Sequence, residues 1–315
     1  MNIAHLFTGW YITPQGGPEI LEEANRKATL TYIDAALEEG LDISFDVIPP
    51  SLPTKFGSST YLCQLFEPFI RELGGREELA KWLKVKDFRD EIKDSLRHGK
   101  FFIRVPYNPN TNPRWAENIY VLRHKDSNTI DKNMAEIAEA RQKDPFDVWF
   151  DLIAEDPDSM AALAWGSVSN PYANFHAIFY QHPVSCVGLD TGVDDYKHVA
   201  DSPTWVPPGI NTYSAFVGFF DKFVNKMKAL TLEEAVYKTS TQAAIRHNIK
   251  GRGVIKEGYY ADIVLMDLPG LKVTGTPLNT RSKPKGIEYV IINGTPVVEK
   301  TEHTGTLPGR VLRRT

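Results

Sequence analysis

Apolar residues recur along this chain in two rhythms, and the change from one to the other divides it. Residues 2–6 (Asn-Ile-Ala-His-Leu) read as a short strand. Ile20, Leu21, Ala24, Ala28, Tyr32, Ala35 and Ala36 then return at helical spacing, opened by Gly16-Gly17-Pro18 and stopped at Gly40. Leu41 to Val47 reads as a second strand, ended by Pro49-Pro50. Strand, long helix and strand make a βαβ unit, which predicts a parallel sheet.

Residues 62–100 predict charged helices interrupted at Gly74-Gly75. Phe101–Val105 and Asn118–Leu122 flank a loop rich in Pro and Asn, and are expected to pair outside the main sheet. Helices are predicted over Asn133–Gln142 and Pro145–Ala154, and a strand over Ala161–Ser167. Ser185 to Gly188 is small and apolar, a short buried strand with Asp190 at its end. A helix over 213–228 carries Phe216, Phe219, Phe220 and Phe223. Thr231-Leu-Glu-Glu234 is a capping box, and Ala235, Val236, Thr239 and Ala243 give the helix it opens a small-residue face.

From Gly251 the period becomes two. Gly251–Ile255, Ala261–Asp267 and Glu288–Ile292 are β runs, and Asn293-Gly294 turns the last of them into Thr295–Glu299. The expected organisation is an α/β region over 1–250, with an insertion near 62–130, and a small β segment of sandwich type over 251–315.

A chain of 315 residues with 42% hydrophobic and 24% charged residues is that of an ordinary soluble globular protein. The net charge of −4 gives no electrostatic case for nucleic acid or an anionic membrane surface. No apolar run approaches the roughly 20 residues of a membrane span. The two cysteines, Cys63 and Cys186, cannot build a disulfide framework, and with no signal-peptide pattern the expected location is cytoplasmic.

No phosphate-binding glycine loop, Cys-x-x-Cys pair or Gly-x-Ser-x-Gly elbow is present. The remaining chemistry lies in eight histidines and a few carboxylates at strand ends. Parallel α/β folds handle ligands at the carboxyl ends of their strands, where Asp190 is expected. An isolated Asp there is more often a turn cap, and an isolated strand histidine such as His5 is more often a bonded core residue. Together, however, imidazole and carboxylate are a donor pair of the zinc type.

Several segments carry a resemblance. They are Ile3-Ala4-His5-Leu6, Asp46-Val47-Ile48-Pro49, Met134–Ala138 with Asp144-Pro145, His182-Pro183, Gly188-Leu189-Asp190, Leu232–Val236 with Lys238-Thr239-Ser240, Gly251-Arg252-Gly253 and Gly258–Val264. Gly286–Val290, Asn293-Gly294, His303-Thr304-Gly305 and Gly309–Leu312 extend it to the end of the chain. The chain resembles the C-terminal part of the amidohydrolase superfamily, in the N-acyl-D-amino-acid deacylase (D-aminoacylase) group. The resemblance implies a partial TIM-like (β/α) barrel, equivalent to strands 5–8, with the small β domain attached. It implies Zn2+ at the barrel mouth and hydrolysis of an N-acyl amino acid. His5 would stand at the fifth-strand metal position, and Asp190 at the last-strand position, both binding the metal and serving as general base and acid.

The first-strand His-x-His pair of that family is absent, and residues 43–50 hold no histidine. The third metal ligand is therefore unassigned. The chain is expected to need a missing N-terminal half or self-association. A catalytically degenerate homologue with a binding role, and a dihydroorotase-like cyclic amidohydrolase, are the other readings. His176, His182 and His198 lie near the site in sequence and read as capping or surface histidines.

Overall fold

The computed structural model describes residues 1–6, 19–49, 58–98, 108–110, 112–163, 177–192, 209 and 211–312. In chain order, β1 (Asn2–Ile3), α1 (Glu19–Glu38) and β2 (Ser44–Val47) form the expected βαβ unit, with β1 and β2 parallel. Gly40 has φ +80, so α1 ends on the glycine that the sequence offers. After an excursion, β6 (Ser185–Val187) returns to pair in parallel with the other side of β2. The sheet order is β1-β2-β6, and all three carboxyl ends lie on one side. The resemblance implies four such strands; among the described residues there are three.

Phe45 and Val47 of β2 are fully buried on one face, while Ser44 and Asp46 point to the other. The first face packs on α1, on α7 (Ala177–Gln181) and on α8 (Asn211–Phe219) with its wide-turned continuation Phe220–Lys226. Tyr180 ties these layers together. Its hydroxyl donates to Val47 O at 2.9 Å, and its ring lies 4.9 Å from Phe219 and 4.8 Å from Phe223. Each such buried side chain contributes about 1.5–3 kcal/mol through the apolar surface it removes from water.

Residues 58–163 build a second core. Here β3 (Ser58–Tyr61), β4 (Ile119–Arg123) and β5 (Met160–Leu163) form an antiparallel sheet with β5 at its centre. Helices α2 (Glu67–Leu73), α3 (Arg76–Trp82), α4 (Lys86–Arg97), α5 (Met134–Arg141) and α6 (Pro145–Glu155) accompany it. Trp149 sits in the middle, 4.5 Å from Phe66 and 5.4 Å from Trp115, with Nε1 donating to Leu62 O at 3.0 Å. The strand expected over 161–167 thus serves this sheet rather than the parallel one. The partner expected for β4, Phe101–Val105, lies outside the described residues.

Thr231 caps α9 (Leu232–Val236), with both halves of its capping box formed. Wide turns over Tyr237–Thr241 lead into α10 (Gln242–Arg246) and shift the buried face. Ala235, Lys238, Gln242 and Ala244 point inward, while Val236 is 41% exposed, so the small-residue face is not the one the spacing predicts. An extra residue per turn rotates everything after it.

The last sheet contains β7 (Ile263–Met266), β8 (Ile287–Ile292), β9 (Thr295–Glu299) and β10 (Glu302–His303), antiparallel in the order β10-β9-β8-β7. Asn293 (φ 50) and Gly294 (φ 79) make the expected two-residue turn, with both residues left-handed. Gly251–Ile255 forms turns instead of a strand. Among the described residues, no helix is long and apolar enough to cross a membrane.

Candidate functional site

The parallel sheet brings the ends of β1, β2 and β6 together. β1 stops at Ile3, so His5 does not lie in a strand as the sequence suggests. It sits in the turn just beyond, with a left-handed φ of 56, which aims its ring across the strand ends. Asp46 is the last outward-facing residue of β2. Asp190 follows β6 with φ 46, and its side chain is 66% exposed rather than buried.

These three residues meet around the imidazole. His5 Nδ1 lies 3.1 Å from Asp46 Oδ1, and His5 Nε2 lies 3.7 Å from Asp190 Oδ1. The Asp46 carboxylate is only 14% exposed, yet well satisfied. Its Oδ1 accepts the His5 backbone N–H at 3.0 Å, and its Oδ2 accepts from Asn2 Nδ2 at 3.0 Å. Asn2 is oriented in turn by Ser44, whose hydroxyl donates to Asn2 Oδ1 at 2.7 Å. Gly188 closes the third side, where a Cβ would lie 2.3 Å from Asp46 Oδ1.

The Nδ1 contact is close but poorly directed, so by angle His5 Nδ1 counts as a buried atom without a hydrogen bond. A lone pair on Nδ1 would face the carboxylate oxygen 3.1 Å away, which favours a proton there. An ionised carboxylate accepts only, so the proton of a neutral ring is assigned to Nδ1 and the Nε2 lone pair is left toward Asp190. Lone pairs on Nε2 and Asp190 Oδ1 repel across 3.7 Å unless a proton donor or a cation lies between them. The arrangement suits a site that binds one or the other.

For a metal, the donor types fit and the number does not. Two donors of one tetrahedral zinc lie about 3.4 Å apart, near the His5–Asp190 separation. Asp46 occupies the opposite ring nitrogen and cannot reach the same ion. Among the described residues there is no group of three His, Cys, Asp or Glu side chains able to hold a metal. His5 and Asp190 by themselves supply two donors, fewer than the three or four protein ligands of a zinc site.

The strand under Asp190 is anchored from below. Lys238 is buried and donates from Nζ to His182 O at 2.8 Å and to Ser185 Oγ at 3.1 Å. Burial holds its ammonium below the ordinary lysine value. Gln242 adds a bond from Nε2 to Pro183 O at 3.0 Å. His182 is buried, with Nε2 3.0 Å from Asp34 Oδ1, so it braces this turn and is neither a surface residue nor part of the site. His176 and His198 lie outside the described residues.

Asp46 and Gly188 were in plain view in the sequence, but nothing there distinguished them as site residues. The available signal was an ionisable residue in an otherwise buried strand. That signal alone does not say what the carboxylate touches.

Residues 211–297 match the profile of the amidohydrolase family. D-aminoacylase of Alcaligenes xylosoxydans xylosoxydans is 32% identical over 108 residues, which cover 34% of this chain and 22% of that protein. A solved D-aminoacylase, studied for its binuclear metal centre, superposes with a TM-score of 0.57 at 19% identity, covering 99% of this chain and 49% of that one. N-acyl-D-glutamate deacylase from Bordetella bronchiseptica, solved with zinc and a phosphonate mimic of the tetrahedral intermediate, superposes with a TM-score of 0.55 at 19% identity, covering 94% and 46%. At such identities the superpositions speak for the fold alone, and the chain spans about half the length of the solved relatives it matches. By sequence and fold together, the chain is similar to amidohydrolases of the D-aminoacylase and N-acyl-D-amino-acid deacylase group.

Proposed function

We propose that this chain carries one side of a metal-assisted hydrolase site for linear amides, with an N-acyl-D-amino acid as substrate. In this reading residues 1–250 are the barrel part, with an insertion near 62–130, and 251–315 the attached β segment. The observation that supports it is the His5 Nε2–Asp190 Oδ1 pair, 3.7 Å apart at the carboxyl ends of parallel strands. His5 and Asp190 would hold zinc, which when bound lowers the pKa of a water to about 7 and polarises a carbonyl. Asp190 is exposed and bears a carboxylate, so it can take a proton from water and return it to the leaving nitrogen. His5 is fixed by Asp46 and supplies direction rather than mobility.

The remaining donors would come from further polypeptide or a second copy of the chain. Among the described residues β1 and β6 each pair on one side only, which leaves parallel edges able to accept another strand. The test is to purify the chain, load it with zinc and assay N-acetyl-D-amino acids across oligomeric states. Turnover confined to assembled species supports the reading. Robust turnover by a monomer would overturn the need for assembly, and absence of both zinc uptake and turnover in every assembly would overturn the hydrolase reading.

A second reading, a degenerate homologue that binds without catalysing, draws support from the missing third donor. Substrate-analogue binding without zinc or turnover would favour it.

A further inference from the structure

We propose that Asp46 is a positioning residue. Its carboxylate holds the His5 ring with the proton on Nδ1 and presents Nε2 to whatever Asp190 binds. The inference rests on the proposed role of His5 and Asp190, and assigns to Asp46 a part that the metal and proton chemistry leave open.

Three observations carry it. The same oxygen, Asp46 Oδ1, meets His5 twice, through the backbone N–H at 3.0 Å and ring Nδ1 at 3.1 Å. One carboxylate therefore sets both the left-handed backbone of His5 and the face its ring offers. The carboxylate is itself immobile, because Asn2 holds Oδ2, and Asn2 is held by Ser44. Finally, glycine follows β6 at position 188, where a Cβ would strike the carboxylate, at 2.3 Å from Oδ1 and 2.7 Å from Cγ. A carboxylate that merely tied β1 to β2 would need only the backbone N–H and Asn2. The ring contact goes beyond that requirement and matches the way ligating histidines are oriented through their distal nitrogen.

Asp46→Asn keeps the shape and removes the charge. With the amide oxygen in the place of Oδ1, the His5 N–H is still accepted and the turn survives. The NH2 group then takes the place of Oδ2 beside Asn2, and the neutral oxygen left at Nδ1 favours a proton there less than the carboxylate does. The experiment is long-range ¹H–¹⁵N NMR of the full chain without metal, with the His5 signal assigned by loss in His5→Gln, followed by zinc titration calorimetry. In the native chain His5 is expected as the Nδ1–H tautomer. Asp46→Asn is expected to move it toward Nε2–H and to weaken zinc binding about 10–100-fold, whereas Asp190→Asn weakens zinc and leaves the tautomer alone. Gly188→Ala, checked as folded by far-UV circular dichroism, should disturb the His5 signal in the same sense as Asp46→Asn.

A His5 tautomer unchanged in both Asp46→Asn and folded Gly188→Ala overturns the proposal, even if the native chain binds zinc and the hydrolase reading stands. A tautomer that responds in a chain taking up no zinc in any assembled form supports the positioning role and removes the metal reading instead.

Discussion

Gly188 directly follows β6 and lies against Asp46 of the neighbouring strand β2, and the absence of a side chain on one makes room for the carboxylate of the other. Asp46 cannot swing aside without losing Asn2 and His5. Gly188→Ala is therefore expected to destabilise the chain by about 1–3 kcal/mol through overpacking. Urea denaturation followed by tryptophan fluorescence measures this. A change within about 0.5 kcal/mol, the range of an ordinary surface substitution, would show that Asp46 has another place to go.

Asp190→Asn probes the exposed carboxylate without touching the backbone. Asn tolerates the left-handed φ of 46 found there, whereas Ala would add strain. Stability is expected to stay within about 0.5 kcal/mol. Amide hydrolysis by the active assembly should fall about 10²–10⁴-fold, as for loss of a general base. Activity retained at the native level would remove Asp190 from the chemistry.

Lys222 makes stability depend on alkaline pH. Burial lowers its pKa to about 8 in the folded chain, against an ordinary value of 10.5. Between these values the unfolded chain keeps a proton that the folded chain has released, so Lys222 makes stability rise with pH across that window. Below about 8 both states are protonated, and the penalty of burying the charge is fully present. Lys222→Met should raise stability at neutral pH and remove this rise. Denaturation at a series of pH values from 7 to 10.5 tests both parts, and a parallel pH profile in the variant would contradict the assignment.

Both cysteines should be silent in the folded chain. Burial pushes Cys63 up to about 12 and Cys186 up to about 11, and Cys186 Sγ also lies 3.6 Å from Phe45 O. The thiolate is the reactive form, so a disulfide reagent at pH 8 is expected to find no thiol until the protein is unfolded, and both thereafter. Rapid titration of either thiol in the native chain would show local opening around β3 or β6.

What the sequence determined by itself was local. The helical spacing up to Gly40, the capping box at Thr231 and the Asn293-Gly294 hairpin each depend on residues a few positions apart, where φ preference and nearby hydrogen bonds decide the outcome. The resemblance added the pair His5 and Asp190, and the fold does bring them to within 3.7 Å. Tertiary structure alone decided the rest. Met160–Leu163 is strand-like in pattern, but only long-range pairing chose an antiparallel sheet for it. Lys238 became a buried donor because its helix packs the face shared with Ala235 and Gln242 inward and brings it to His182 O, 56 residues away. Asp46 acquired its meaning through His5, 41 residues before it, and through Gly188 just after another strand. A carboxylate's charge, partner and freedom are set by what surrounds it. In a parallel sheet, those neighbours come from strands that the chain reaches only after long crossovers.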